Sequence, residues 1–113
     1  MFLTESQIID KFARDVVKRA GQVYFKEPAA RSFVASCQVN DLAIVGIEGF
    51  TLTESATQPH LDMIADYSKF AAVRWEDYRD SLNEAATRFI VEVQKPGIWF
   101  NFTVLTRKDW VSS

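Results

Sequence analysis

A chain of 113 residues, 48% hydrophobic and 25% charged, has ordinary globular usage, which excludes a disordered polymer. Its length fits one domain over residues 1–113, able to bury roughly two-thirds of its unfolded surface. No apolar run approaches the roughly 20 residues of a membrane span, and Met1-Phe2-Leu3-Thr4-Glu5 lacks the basic and apolar regions of a signal peptide. The lone cysteine, Cys37, cannot form an internal disulfide, so the expected compartment is reducing and cytoplasmic.

The formal net charge of −2 is unevenly spread. Residues 41–85 carry nine acidic and three basic side chains, a net −6, whereas residues 1–40 and 86–113 carry +2 each. That centre disfavours nucleic acid as a direct partner and favours a basic protein or a cation.

In chain order, Thr4-Glu5-Ser6-Gln7 fits a capping box. Ile8, Phe12 and Val16, with Ile9, Ala13, Val17 and Ala20 beside them, make one apolar stripe opposite Asp10, Arg14, Lys18 and Arg19. The spacing predicts a helix from Thr4 to Gly21, whose glycine suits the left-handed position that ends a helix. Its basic outer face reads as a solvated surface. Gln22 to Lys26 is a short strand or a packed connection. Pro28 suits the first position of a second helix, with Ala29, Phe33, Val34, Cys37 and Val39 on its buried side. Asn40-Asp41 supplies a turn.

Leu42 to Thr53 predicts a long strand, or two bent at Gly46 and Gly49, with an apolar start that implies burial on both faces. Glu54 to His60 reads as a turn or loop. Leu61 to Tyr67 then forms the second strand of a hairpin, Met63 and Ala65 alternating against Asp62, Ile64 and Asp66. Ser68 suits the cap of a short helical turn over residues 69–72. Trp75, Tyr78, Leu82, Ala85, Ala86, Phe89, Ile90 and Val93 follow helical spacing from Trp75 to Gln94, with Glu76, Asp77 and Asp80 near the start, where the helix dipole favours acids. Pro96-Gly97 stops that helix. Ile98, Phe100, Phe102 and Val104 alternate with Trp99, Asn101, Thr103 and Leu105 as a last strand. Arg107-Lys108-Asp109 makes a charged exit, after which Trp110 and Val111 either fold back on the core or fray. The order predicts an α+β fold, a small antiparallel or mixed sheet packed against helices.

The chemistry-bearing residues are sparse. Gly46-Ile47-Glu48-Gly49 lacks the spacing of a phosphate loop. One cysteine excludes a four-thiolate zinc site or a redox dithiol, and the acids lack calcium-loop spacing, so no metal and no cofactor is expected. His60, the single histidine, could meet Asp62 and Asp66 around a hard metal, or simply stand in an exposed loop. Cys37 and His60 could be read as nucleophile and base, but Cys37 has an apolar helical setting and no flanking motif. Glu48 stands out within an apolar strand: it is a site acid or binding residue, or a carboxylate at a sheet bend that is paired or faces solvent. Glu54, Asp62, Asp66, Glu76, Asp77 and Asp80 form a negative patch beside Tyr67, Trp75 and Tyr78 if the hairpin and the helix start are adjacent, a combination suited to capturing a basic protein. The alternative is a solubilising face.

Gly46-Ile47-Glu48-Gly49-Phe50, Leu61-Asp62-Met63-Ile64-Ala65-Asp66-Tyr67-Ser68, Trp75 and Trp99-Phe100-Asn101-Phe102-Thr103-Val104-Leu105 resemble small bacterial proteins grouped with toxin immunity proteins. The resemblance spans roughly residues 42–105 and includes no catalytic residue. It implies a stoichiometric inhibitor of a basic toxin domain, although the basic stretch from Lys11 to Arg19 does not suit a uniformly acidic inhibitor. The expected function is therefore a cytoplasmic, non-enzymatic protein-binding module. Its expected partner-binding residues are Glu48, Asp62, Asp66, Tyr67, Trp75, Glu76, Asp77, Tyr78 and Asp80, and a homo-oligomer is compatible with it. The alternatives are a small enzyme or ligand-binding domain using Glu48, Asp62, Asp66 and His60, or a structural subunit of a larger assembly.

Overall fold

The Thr4 hydroxyl accepts the Gln7 backbone N–H at 3.2 Å, and the Gln7 side chain accepts the Thr4 N–H at 2.9 Å, so the first helix begins where its capping box places it. It is much shorter than its apolar spacing suggests. In the computed structural model, which describes residues 1–93 and 95–112, α1 spans Glu5–Asp10 and the chain then forms β1 (Val16–Arg19) and β2 (Gln22–Lys26). The expected helix to Gly21 is thus corrected. Val16 and Val17 favour extended chain, and Ala20 and Gly21 both take positive φ, +49° and +79°, as a two-residue hairpin turn requires. Gly21 supplies left-handed backbone as expected, but to a hairpin.

The remaining elements are α2 (Ala29–Val39), β3 (Leu42–Leu52), β4 (Thr57–Asp66), α3 (Trp75–Val93), β5 (Ile98–Thr106) and α4 (Arg107–Ser112). The fold is α+β, with one antiparallel sheet in the order β1-β2-β5-β3-β4. Pro28 stands at the N-cap of α2, one position before the expected one, and the Glu27 carboxylate accepts the Arg31 N–H at 3.0 Å. Val39 is exposed, not buried. Strand β4 begins at Thr57 within the expected loop, and residues 69–72 form no helical turn. The expected last residue of α3, Gln94, lies outside the described residues.

Alternation across the sheet separates two faces. Ile44, Ile47, Phe100, Phe102 and Phe25 face α1 and α2 and join Ile8, Ala30, Phe33, Val34 and Cys37 in the larger core. Phe25, Phe33 and Phe102 are its centre, with ring centroids 4.4–5.5 Å apart. Phe12, Val16 and Phe89, expected as core, are partly buried against this cluster. Ala43, Trp75, Tyr78 and Leu82 form a second cluster, joined by Leu105 and Trp110. Ala43 pairs with Leu105, and by alternation both lie on the opposite face from Ile44.

Helix α3 reaches both clusters because of what happens at the start of β3. Strand β4 pairs with β3 only from Gly46 onward. Before that, the free edge of β3 is met by buried Asn83 of α3. Its Oδ1 accepts the Ile44 N–H at 2.9 Å, and its Nδ2 donates to the Leu42 carbonyl at 2.9 Å. One side-chain amide thus replaces the missing strand and satisfies groups that would be costly to bury unpaired.

Candidate functional site

The face of the sheet turned away from α1 and α2 is covered at both ends and open in the middle. At one end, Trp110 lies over the second cluster, with ring centroids 5.7 Å from Trp75 and 5.5 Å from Tyr78. The charged exit of the sequence is thus a helix that folds back on the core. At the other end, the β1–β2 hairpin closes on the β3–β4 tip. The Arg19 guanidinium donates to the Ala56 carbonyl at 2.8 Å and also to the Thr53 carbonyl, while Tyr24 packs edge-on against Phe50 at 5.1 Å. Asn101 eases the divergence of β2 from β5 by donating to the Val23 carbonyl at 3.0 Å.

Between these ends lies a groove of about 290 Å³, lined by Val45, Gly46, Glu48, Ile64, Asp66 and Thr103 among others. Gly46 is opposite Thr103 on one side and Asp66 on the other, and its missing side chain makes the groove floor. Glu48 is exposed here, opposite Ile64 and Asn101. Glu48 is therefore neither buried nor, among the described residues, held in an ion pair. Strand polarity, not burial, explains its place within an apolar run: it falls on the open face just beyond the point where both faces are covered.

Strand β4 forms the rim of this groove and the edge of the sheet. Asp62 and Asp66 are exposed, as are Leu61 at 83% and Ile64 at 45%. Met63 is buried and Ala65 half-buried, so the predicted alternation of Met63 and Ala65 against Asp62, Ile64 and Asp66 holds. Gly49 makes room for Met63, since a Cβ at residue 49 would lie 2.9 Å from the Met63 Cβ. Hydrogen bonds from Ser68, including its backbone N–H at 2.9 Å, hold the Asp66 carboxyl below the ordinary range, aided by Lys69. Among the described residues, Glu48, Asp62 and Asp66 make no ion pair.

The expected aromatic members of the site are elsewhere. Trp75 and Tyr78 are 2% and 4% exposed and belong to the second core cluster, so neither is available as a surface anchor. Tyr67 is half-buried and donates to the Ala85 carbonyl at 3.3 Å, and burial, with the nearby Glu92 charge, raises its phenol. Their helical and hairpin spacing already fitted a core role, and the acids around them masked it.

Asp80 is also committed internally. Trp75 Nε1 donates to Asp41 at 2.7 Å, Arg79 bridges Asp41 at 2.7 Å and Asp80 at 2.9 Å, and Gln38 donates to Asp80 at 2.6 Å and accepts from Asn83 at 2.7 Å. This chain of bonds ties α2 and α3 to the start of β3. The bond from Gln38, then Arg79, lowers the Asp80 carboxyl below its ordinary range. Glu76 pairs with Arg107 of α4 at 3.2 Å, while Asp77 is exposed. The predicted patch therefore divides: Glu48, Asp62 and Asp66 share the groove and its rim, whereas Trp75, Tyr78 and Asp80 hold the fold together. Sequence reading missed Leu61 as a surface residue and Asn83 as a clamp. An Asn set in a run of helical apolar spacing was the available signal for Asn83.

His60 does not join the acids. Its Nε2 lies 2.6 Å from the Thr51 hydroxyl, and Thr51, three positions past Glu48, faces the opposite side of the sheet by alternation. Cys37 is fully buried in the larger core, where burial, with the Glu5 charge, pushes its thiol up to about 12, so it is no thiolate nucleophile at neutral pH. Among the described residues, no three His, Cys, Asp or Glu side chains are grouped to hold a metal ion, and no helix is long and apolar enough to cross a membrane. No family model, curated protein or solved structure shows significant similarity to the chain.

Proposed function

We propose that the chain is a cytoplasmic protein-binding module that captures a basic partner on its β3–β4 surface, acting as an immunity protein neutralises a toxin domain, by stoichiometric binding and not by catalysis. The supporting observation is the set Glu48, Asp62 and Asp66: three exposed carboxylates without an ion pair among the described residues, beside exposed Leu61 and Ile64. Unpaired acids around accessible apolar side chains give a partner both long-range attraction and area to bury. Asp77 lies outside the groove and extends the negative field.

The test is the association rate with a basic partner, starting with a toxin domain encoded beside this chain's gene. Reversing Asp62 and Asp66 to Lys is expected to slow association by about tenfold or more at low salt, with the difference shrinking as salt screens the attraction. Co-production with the toxin is expected to protect cells, and the reversed variant to protect them less. An unchanged rate in a variant with an intact circular dichroism spectrum places the interface elsewhere.

A further inference from the structure

The free edge of β4 has a defined register. Tyr67 donates its N–H to the Val45 carbonyl at 2.9 Å, and this contact continues the antiparallel pairing Gly46↔Asp66, Ile47↔Ala65 and Glu48↔Ile64. In such a ladder, hydrogen-bonded and non-bonded pairs alternate. Tyr67 and Ala65 therefore direct their N–H and C=O groups toward β3, while Asp66 and Ile64 direct theirs outward. By alternation, the side chains of Ile64 and Asp66 share the open face with Glu48, and Asp62 is exposed next to buried Met63. Beyond Ile64 the pairing shifts, from Glu48↔Ile64 to Phe50↔Pro59, so the four β4 residues His60, Leu61, Asp62 and Met63 oppose Gly49 alone and the edge is bent there. The regular edge is residues 64–66, and Asp62 stands at the bend that ends it.

We propose that this edge takes up an extended strand of the basic partner, with the pattern basic-x-apolar-x-basic. The apolar residue lies opposite Ile64 and the two basic residues lie opposite Asp62 and Asp66. The proposal rests on the protein-binding reading and names the form in which the partner binds. Backbone pairing supplies the attachment, and the Asp–Ile–Asp spacing supplies the selectivity. Charge decides the occupant. A second copy pairing β4 with β4 about Ile64 would set each Asp62 directly opposite an Asp66, and like charges in that position disfavour the pair. A basic strand relieves both carboxylates at once.

The probe is the peptide acetyl-Thr-Lys-Thr-Val-Thr-Lys-Thr-amide. Two controls accompany it: one with Glu in place of both Lys, and one with an N-methylated Val that cannot donate to the Ile64 carbonyl. Binding is followed by NMR titration, and amide exchange is measured at saturating peptide. The Lys peptide is expected to slow exchange at Ile64 and Asp66 by about tenfold or more, with little change at Ala65, which already faces β3. Neither control should bind. Ile64→Pro, which removes an outward N–H and leaves the β3 ladder intact, is expected to lose the peptide and keep its circular dichroism spectrum; should that variant unfold, the N-methylated peptide decides the matter on the unaltered chain. Failure of the Lys peptide to bind, equal binding of all three peptides, or unchanged exchange at Ile64 and Asp66 would each overturn the proposal. So would a dimer of the chain alone, seen by sedimentation, with slowed exchange at the same amides. A whole basic partner that still associates at a salt-dependent rate would then leave the protein-binding reading standing without strand addition.

Discussion

The two halves of β3 are one continuous strand with opposite fates. Leu42, Ala43 and Ile44 are buried, with one cluster on each side of the sheet and Asn83 closing the edge. From Gly46 onward the edge passes from α3 to β4, and the open face loses its cover until Phe50 meets Tyr24. Glu48 is exposed only four positions after Ile44, which is fully buried. The difference teaches that burial here follows what crosses the strand, and that a carboxylate in an apolar run is not by itself a buried carboxylate.

The sharpest way to break this comparison is to open the covered side. Phe33→Ala in the larger core is expected to cost about 3–5 kcal/mol, read as a lower denaturant midpoint. Asn83→Leu keeps the bulk but leaves the Ile44 N–H and Leu42 carbonyl unpaired, at about 2–4 kcal/mol; a midpoint like the parent's would show that the clamp is dispensable. Phe89→Ala is expected to cost only about 1–2 kcal/mol, because Phe89 is partly and not fully buried. On the open side, Leu61→Ser is expected to change stability by less than about 0.5 kcal/mol while weakening partner capture.

The acid range sharpens the same contrast. Asp80 has a carboxyl lowered in the folded state, so its contribution is present above the unfolded value of about 3.9 and is lost as pH falls through the lower folded value. Asp80 is half-exposed, and the effect is correspondingly small. Asp80→Asn is expected to flatten the loss of stability below about pH 4, measured by urea midpoints across pH. A slope identical to the parent's would remove Asp80 from the network linking Gln38 and Arg79.

What the sequence determined by itself was local and periodic. The capping box at Thr4, the long helix from Trp75, the β3–β4 hairpin and the alternation through Ile64 and through Phe100 were legible because each repeats at the spacing of its own element. The stretch from Phe12 to Gly21 was misread because its apolar residues also satisfy a helical stripe. Only pairing with β2, itself held by β5, selects the strand. Tertiary structure alone decided which acids are free. Asp80 and Asp62 are alike in sequence, both acids near aromatic residues, yet one closes a network between two helices and the other stands on an unpaired edge. That distinction depends on residues distant in the chain, Gln38, Asp41 and Asn83, converging at the start of β3, and no local spacing encodes such a convergence.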